Sequence, residues 1–144
     1  VTDGGRFATL FYAEWNGAER SLRFINAGHN SPILATSGRI QRLEPATPPL
    51  GIFLELELLE RRLTLEPGDL LVLYSDGVTD AGIEKGAGFG EARLEAVVTA
   101  HHAKPLDEIQ QRVLAAVHGW AGHELGDDMT LLLVRAIASR EEES

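Results

Sequence analysis

Two stretches set carboxylates directly against the end of an apolar run: Asp76 follows Leu70–Tyr74, and Asp127 with Asp128 precedes Thr130–Ile137. If the two runs are neighbouring strands, these carboxylates converge. Crowded carboxylates repel one another and are costly to desolvate, and a divalent cation relieves both penalties by supplying the missing charge. Oxygen ligands select hard ions such as magnesium and manganese. Gly77 lets the backbone approach closely enough for its carbonyl to join such a shell. Spacing alone leaves a plainer alternative open, since Asp-Gly at a strand end is commonly a turn and Asp before a strand a solvated loop residue.

Other residues with chemical potential read as structural. His101, His102, His118 and His123 show no spacing typical of a zinc site. Ser75 has no base placed to activate it as a nucleophile. Trp15 and Trp120 read as core or sheet-face packing, and Arg61-Arg62 as a solvated strand end.

The elements that must position the carboxylates follow from periodicity. From Phe7 to Trp15, residues of one parity are apolar or β-branched and Asn16-Gly17 follows, which predicts a strand entering a hairpin whose return carries Leu22, Phe24 and Asn26. Pro32 to Ala35 and Arg39 to Leu43 flank Ser37-Gly38 as a second hairpin. Leu54, Leu56 and Leu58 alternate with Glu55 and Glu57 as in a half-buried strand. Leu70–Tyr74, apolar on both parities, suits a central strand that delivers Ser75-Asp76-Gly77 to a loop. Glycines 82, 86, 88 and 90 predict a mobile loop from Ala81 to Gly90. Two helices follow, one with Leu94, Val97, Val98 and His101 on a face, the other opened by Pro105 with a stripe of Leu106, Ile109, Val113, Val117 and Trp120. A buried strand from Thr130 to Ile137 closes the series. Strands, then helices, then a strand read as α+β, with helices packed on an antiparallel sheet.

Composition limits the partners. The chain has 144 residues and a formal net charge of −9, with no Lys/Arg cluster, which argues against nucleic acid and anionic membrane surfaces. It has no cysteine, so disulfides and thiolate sites drop out. With no run of membrane-span length and no basic-then-apolar leader, a cytoplasmic domain is the default expectation.

Asn26-Ala27-Gly28-His29-Asn30, the run from Gly68 to Asp80, and Gly126-Asp127-Asp128-Met129-Thr130 closely resemble, in order and spacing, successive motifs of SpoIIE/RsbU-type PPM (type 2C-like) serine/threonine phosphatases. Phe7 to Leu10 matches the strand before the first motif. The resemblance implies packed antiparallel β-sheets flanked by helices, a partial phosphatase domain over residues 1–138 and a charged tail over 139–144. It implies a site of two Mn2+ or Mg2+ ions in which Asp76 and Asp127 are ligands, joined by the Gly77 carbonyl. Asp128 takes a supporting role, Asp80 matches a weaker third metal position, and His29 lies near that third site or closes a β-turn. The implied reaction is hydrolysis of phosphoserine or phosphothreonine on a regulatory protein, of the anti-sigma-factor-antagonist type, by metal-activated water.

The chain departs from the family in one respect: an Asp-x-x-Gly-His-Gly motif, which supplies the aspartate bridging both metals, does not occur in these 144 residues. Asp3-Gly4-Gly5 lies too close to Phe7 to replace it. The expectation is a C-terminal portion of the domain, weakly active or inactive alone, whose exposed sheet edges favour a homodimer or aggregation. The alternative is a non-catalytic PPM-like module that binds a regulatory partner.

Overall fold

The computed structural model describes residues 6–52, 57–122 and 128–139, which fall into two compact units. The first draws on Val1–Ser31, Leu43–Pro67 and Ile137–Ser144, the second on Pro32–Arg42 and Gly68–Ala136.

In the first unit, strands β1 (Leu10–Asn16), β2 (Ser21–Ala27) and β5 (Arg61–Thr64) form an antiparallel sheet in the order β1-β2-β5. The Asn16 side chain makes the hairpin, its Oδ1 accepting the amides of Ala18 at 3.0 Å and Glu19 at 3.2 Å, as Asx turns do. Phe24 is buried beneath the Phe11 ring, with centroids 5.8 Å apart, and the Arg61 guanidinium lies 4.8 Å from its centroid. Trp15, expected against the sheet or core, keeps 47% of its surface exposed.

Two strand expectations shift here. The first strand begins at Leu10 rather than Phe7, and Ala8 instead exchanges two backbone hydrogen bonds with Leu50. The Leu-Glu alternation expected as a strand over 54–58 lies partly outside the described residues, and Glu57 and Leu58 have no strand structure. The third strand of this sheet is β5, where Ser21 to Phe24 find their partners and Leu63 stands opposite Leu22.

In the second unit, β3 (Ile33–Thr36), β4 (Arg39–Arg42), β6 (Leu70–Tyr74) and β7 (Leu131–Arg135) form an antiparallel sheet ordered β4-β3-β6-β7. Ile33, Ala35, Leu70, Val72 and Tyr74 share the face covered by helices α2 (Gly90–His101) and α3 (Leu106–Ala121). The α3 stripe Ile109, Val113, Val117 and Ala121 recurs every four residues, and all four are fully buried. Each larger member contributes about 1.5–3 kcal/mol of apolar burial. A short helix, α1 (Asp76–Thr79), links β6 to the segment before α2. The fold is therefore α+β, as the element order implies.

Trp120 leaves the expected stripe and is 40% exposed. The strand expected to be buried from Thr130 to Ile137 is the shorter β7, last in its sheet, with Leu132 53% and Val134 47% exposed. Among the described residues no helix is long and apolar enough to cross a membrane.

Candidate metal centre

The condition for the carboxylate-bearing ends to meet holds for the strands: β6 and β7 are hydrogen-bonded neighbours in antiparallel register, with Tyr74 opposite Leu131. One residue further on, the Ser75 amide donates to the Thr130 carbonyl at 3.0 Å, and the Thr130 amide donates to Ser75 Oγ at 2.9 Å. Ser75 is thus committed to closing the ladder. Beyond this closure the two chains carry Asp76 and Gly77 on one side and Asp128 and Met129 on the other.

Gly77 sits directly on the second strand's approach. A Cβ there would lie 2.0 Å from the Asp128 carbonyl oxygen and 3.2 Å from the Met129 Cα, so only glycine admits this contact. The expected loop at Asp76 is instead the first turn of α1. Ser75 is extended (φ −95°, ψ 167°), Val78 donates to the Ser75 carbonyl and Asp80 to the Asp76 carbonyl at 2.7 Å. An acidic residue in a helix's first turn is favoured by the local backbone dipoles.

Asp76, Asp80 and Asp128 are all exposed, and the Asp76 and Asp80 carboxylates make no hydrogen bond or ion pair among the described residues. Asp127 lies outside the described residues. The donor set is all oxygen, which suits a hard divalent ion. These donors fit such an ion in kind, and among the described residues no group of three or more His, Asp or Glu is placed to hold one.

His29 belongs to the first unit. Asn26, almost fully buried, donates through Nδ2 to the Leu43 carbonyl at 2.9 Å and accepts the His29 amide through Oδ1 at 2.9 Å. The His29 ring Nδ1 lies 3.1 Å from the Asn30 carbonyl oxygen, which can only accept. Gly28 adopts φ +68°, and a Cβ there would meet Pro49 Cγ at 2.3 Å. Asn26 and Ala27 thus end β2, and the Asn26 side chain braces the chain as it leaves the strand through Gly28 and His29.

A polar cluster behind β6 left no signature in the sequence. Tyr74 Oη accepts from Arg42 Nη1 at 2.6 Å and donates to Glu91 at 3.0 Å, while Arg42 Nε donates to Glu95 at 2.6 Å. Burial, reinforced by Glu91 against the opposing effect of Arg42, pushes the Tyr74 phenol up to about 12.

These sheets and helices are those of PP2C-type phosphatase domains. The SiaA-PP2C domain of Pseudomonas aeruginosa superposes with a TM-score of 0.71 at 30% identity, covering 82% of this chain and 47% of that one. Residues 1–137 match the family described as Stage II sporulation protein E (SpoIIE), and the chain belongs to that family. Similar proteins include Protein IcfG of Synechocystis, 33% identical over 92% of this chain and 21% of its own length. Phosphoserine phosphatase RsbU of Bacillus subtilis is 27% identical over 92% of this chain and 40% of its own length. The chain thus spans less than half the length of these curated relatives.

Proposed function

We propose that this chain is the metal-binding C-terminal portion of a protein phosphatase domain that hydrolyses phosphoserine or phosphothreonine on a regulatory protein in the cytoplasm. The observation that carries this reading is the β6–β7 register, which sets the Gly77 backbone against that of Asp128 just beyond the Ser75–Thr130 closure. Membership of a phosphatase family and similarity to a phosphoserine phosphatase support the reaction class.

Asp76, Asp127 and the Gly77 carbonyl would hold Mn2+ or Mg2+, two ions in a complete site, with Asp80 and Asp128 supporting or serving a third position. Such ions supply Lewis acidity toward a water nucleophile and toward the phosphoryl oxygens. The chain's own part is positional. Ser75 locks the ends of β6 and β7, Gly77 admits the Asp128 backbone, and α1 presents Asp76 and Asp80 to solvent on one short turn. Residues 1–138 act as one functional portion in this reading, with 139–144 as a tail.

The test is phosphate release by the protein that carries this domain, from phosphoserine and phosphotyrosine peptides, with and without Mn2+. Mn2+-dependent release from the phosphoserine peptide, lost in Asp76→Asn, is expected. The incomplete set of clustered carboxylates among the described residues favours a second reading, a partner-binding module without catalysis. Neither activity nor Mn2+ binding in a chain that also bears an Asp-x-x-Gly-His-Gly motif would establish that module instead.

A further inference from the structure

The segment between α1 and α2, rich in glycine, is closed on itself and hooked to α3. The Phe89 amide donates to the Ala81 carbonyl at 2.9 Å, closing the loop, and a 3-10 turn at Ile83–Lys85 fills it. Trp120 Nε1 donates to the Ala87 carbonyl at 2.9 Å, and Lys85 Nζ donates to the Ala121 carbonyl at 2.9 Å, where a helix C-terminus favours a cation. The Trp120 ring also serves as a platform. Arg93 Cζ lies 3.6 Å from its centroid, and a Cβ on Gly82 would lie 3.0 Å from its Cδ1.

This clamp reaches the candidate ligands through backbone. Gly88, next to the held Ala87 carbonyl, packs so closely on α1 that a Cβ there would lie 2.5 Å from the Thr79 carbonyl oxygen and 3.2 Å from the Asp80 Cα. The Ile83 amide donates to the Asp80 carbonyl at 2.9 Å. On the other side, Ala121 and Gly122 end α3 directly before the stretch that contains Asp127.

We propose that Trp120 and Lys85 are positioning residues for the metal centre, holding the α1 turn with Asp76 and Asp80 against the end of α3. The proposal rests on the metal reading above. It assigns the exposed tryptophan a task that core packing does not explain. Neither residue touches substrate or metal, so each acts through the Ala87-Gly88 or Ala121 backbone.

The test uses Trp120→Phe, which keeps the ring and removes the donor, and Lys85→Met, which keeps the stem and removes the charge. Two readouts on the protein that carries this domain separate the possibilities: amide exchange without metal, and the Mn2+ dissociation constant by calorimetry. Faster exchange at the Asp80 and Ile83 amides, with the β6 amide of Val72 unchanged, and Mn2+ binding weakened about tenfold, as loss of outer-shell support typically causes, are expected. Exchange that is unchanged, or that rises equally at Val72, would overturn the proposal, as would local loosening with unaltered Mn2+ affinity. Wild-type protein that carries this domain together with an Asp-x-x-Gly-His-Gly motif and binds no Mn2+ would sink the metal reading itself, and the exchange comparison would still decide the clamp.

Discussion

Gly77 owes its identity to a neighbouring strand. From sequence, the glycine argued for a close backbone approach, and the approaching group is the Asp128 carbonyl, 2.0 Å from where a Cβ would stand. Gly77→Ala must displace backbone and is expected to lower stability by about 1–3 kcal/mol in a urea titration, as overpacking does. Gly28 and Gly38 offer a matched pair. Both have positive φ, +68° and +80°, but a Cβ on Gly28 meets Pro49 at 2.3 Å whereas one on Gly38 meets nothing within 4 Å. Gly38→Ala should cost only the left-handed strain, about 1–2 kcal/mol, and Gly28→Ala measurably more in the same titration. Equal losses would show that the Pro49 contact yields freely. The roles of Asn26 and Trp120 were not legible in the sequence, because their partners, Leu43 and Ala87, are 17 and 33 residues away in the chain.

At the scale of elements, alternation and turn residues identified the first hairpin, the second hairpin, β6 and both long helices. They failed where pairing is decided by a distant partner. Glu57 and Leu58, at the end of the Leu-Glu alternation, have no strand structure, while β5 reads Arg-Arg-Leu-Thr and becomes a strand because β2 stands ready to pair with it. The Tyr74 cluster was equally hidden, since it joins β4, β6 and α2. It makes a pH prediction. A phenol held at about 12, above its usual 10.0, favours the folded state while neutral. That stability is fully present below pH 10 and is lost as pH rises toward 12. Thermal unfolding of Tyr74→Phe should therefore show a flatter pH dependence across this window than wild type. Parallel profiles would assign the alkaline loss to other groups.

For the whole molecule, the net charge of −9 opposes association, whereas β7 invites it. As the last strand of its sheet it presents half-exposed Leu132 and Val134, a pattern prone to edge pairing. Sedimentation is expected to show concentration-dependent self-association that Leu132→Glu reduces; a monodisperse wild-type monomer would refute this. The family and the α+β fold were readable from three motifs in series and the order of elements. The candidate site was readable only in part, since spacing shows which carboxylates end which strands but not that Ser75 and Thr130 close the ladder between them. The most direct test of the account is the Mn2+ dependence of phosphate release by the protein carrying this domain, compared among wild type, Asp76→Asn and Asp107→Asn, the last altering an exposed carboxylate in the first turn of α3. The account predicts that Asp76→Asn lowers the rate by about 100-fold or more, since a metal contributes several kcal/mol to the transition state, while Asp107→Asn leaves it unchanged. An Asp76→Asn protein as active as wild type at limiting Mn2+ would contradict it.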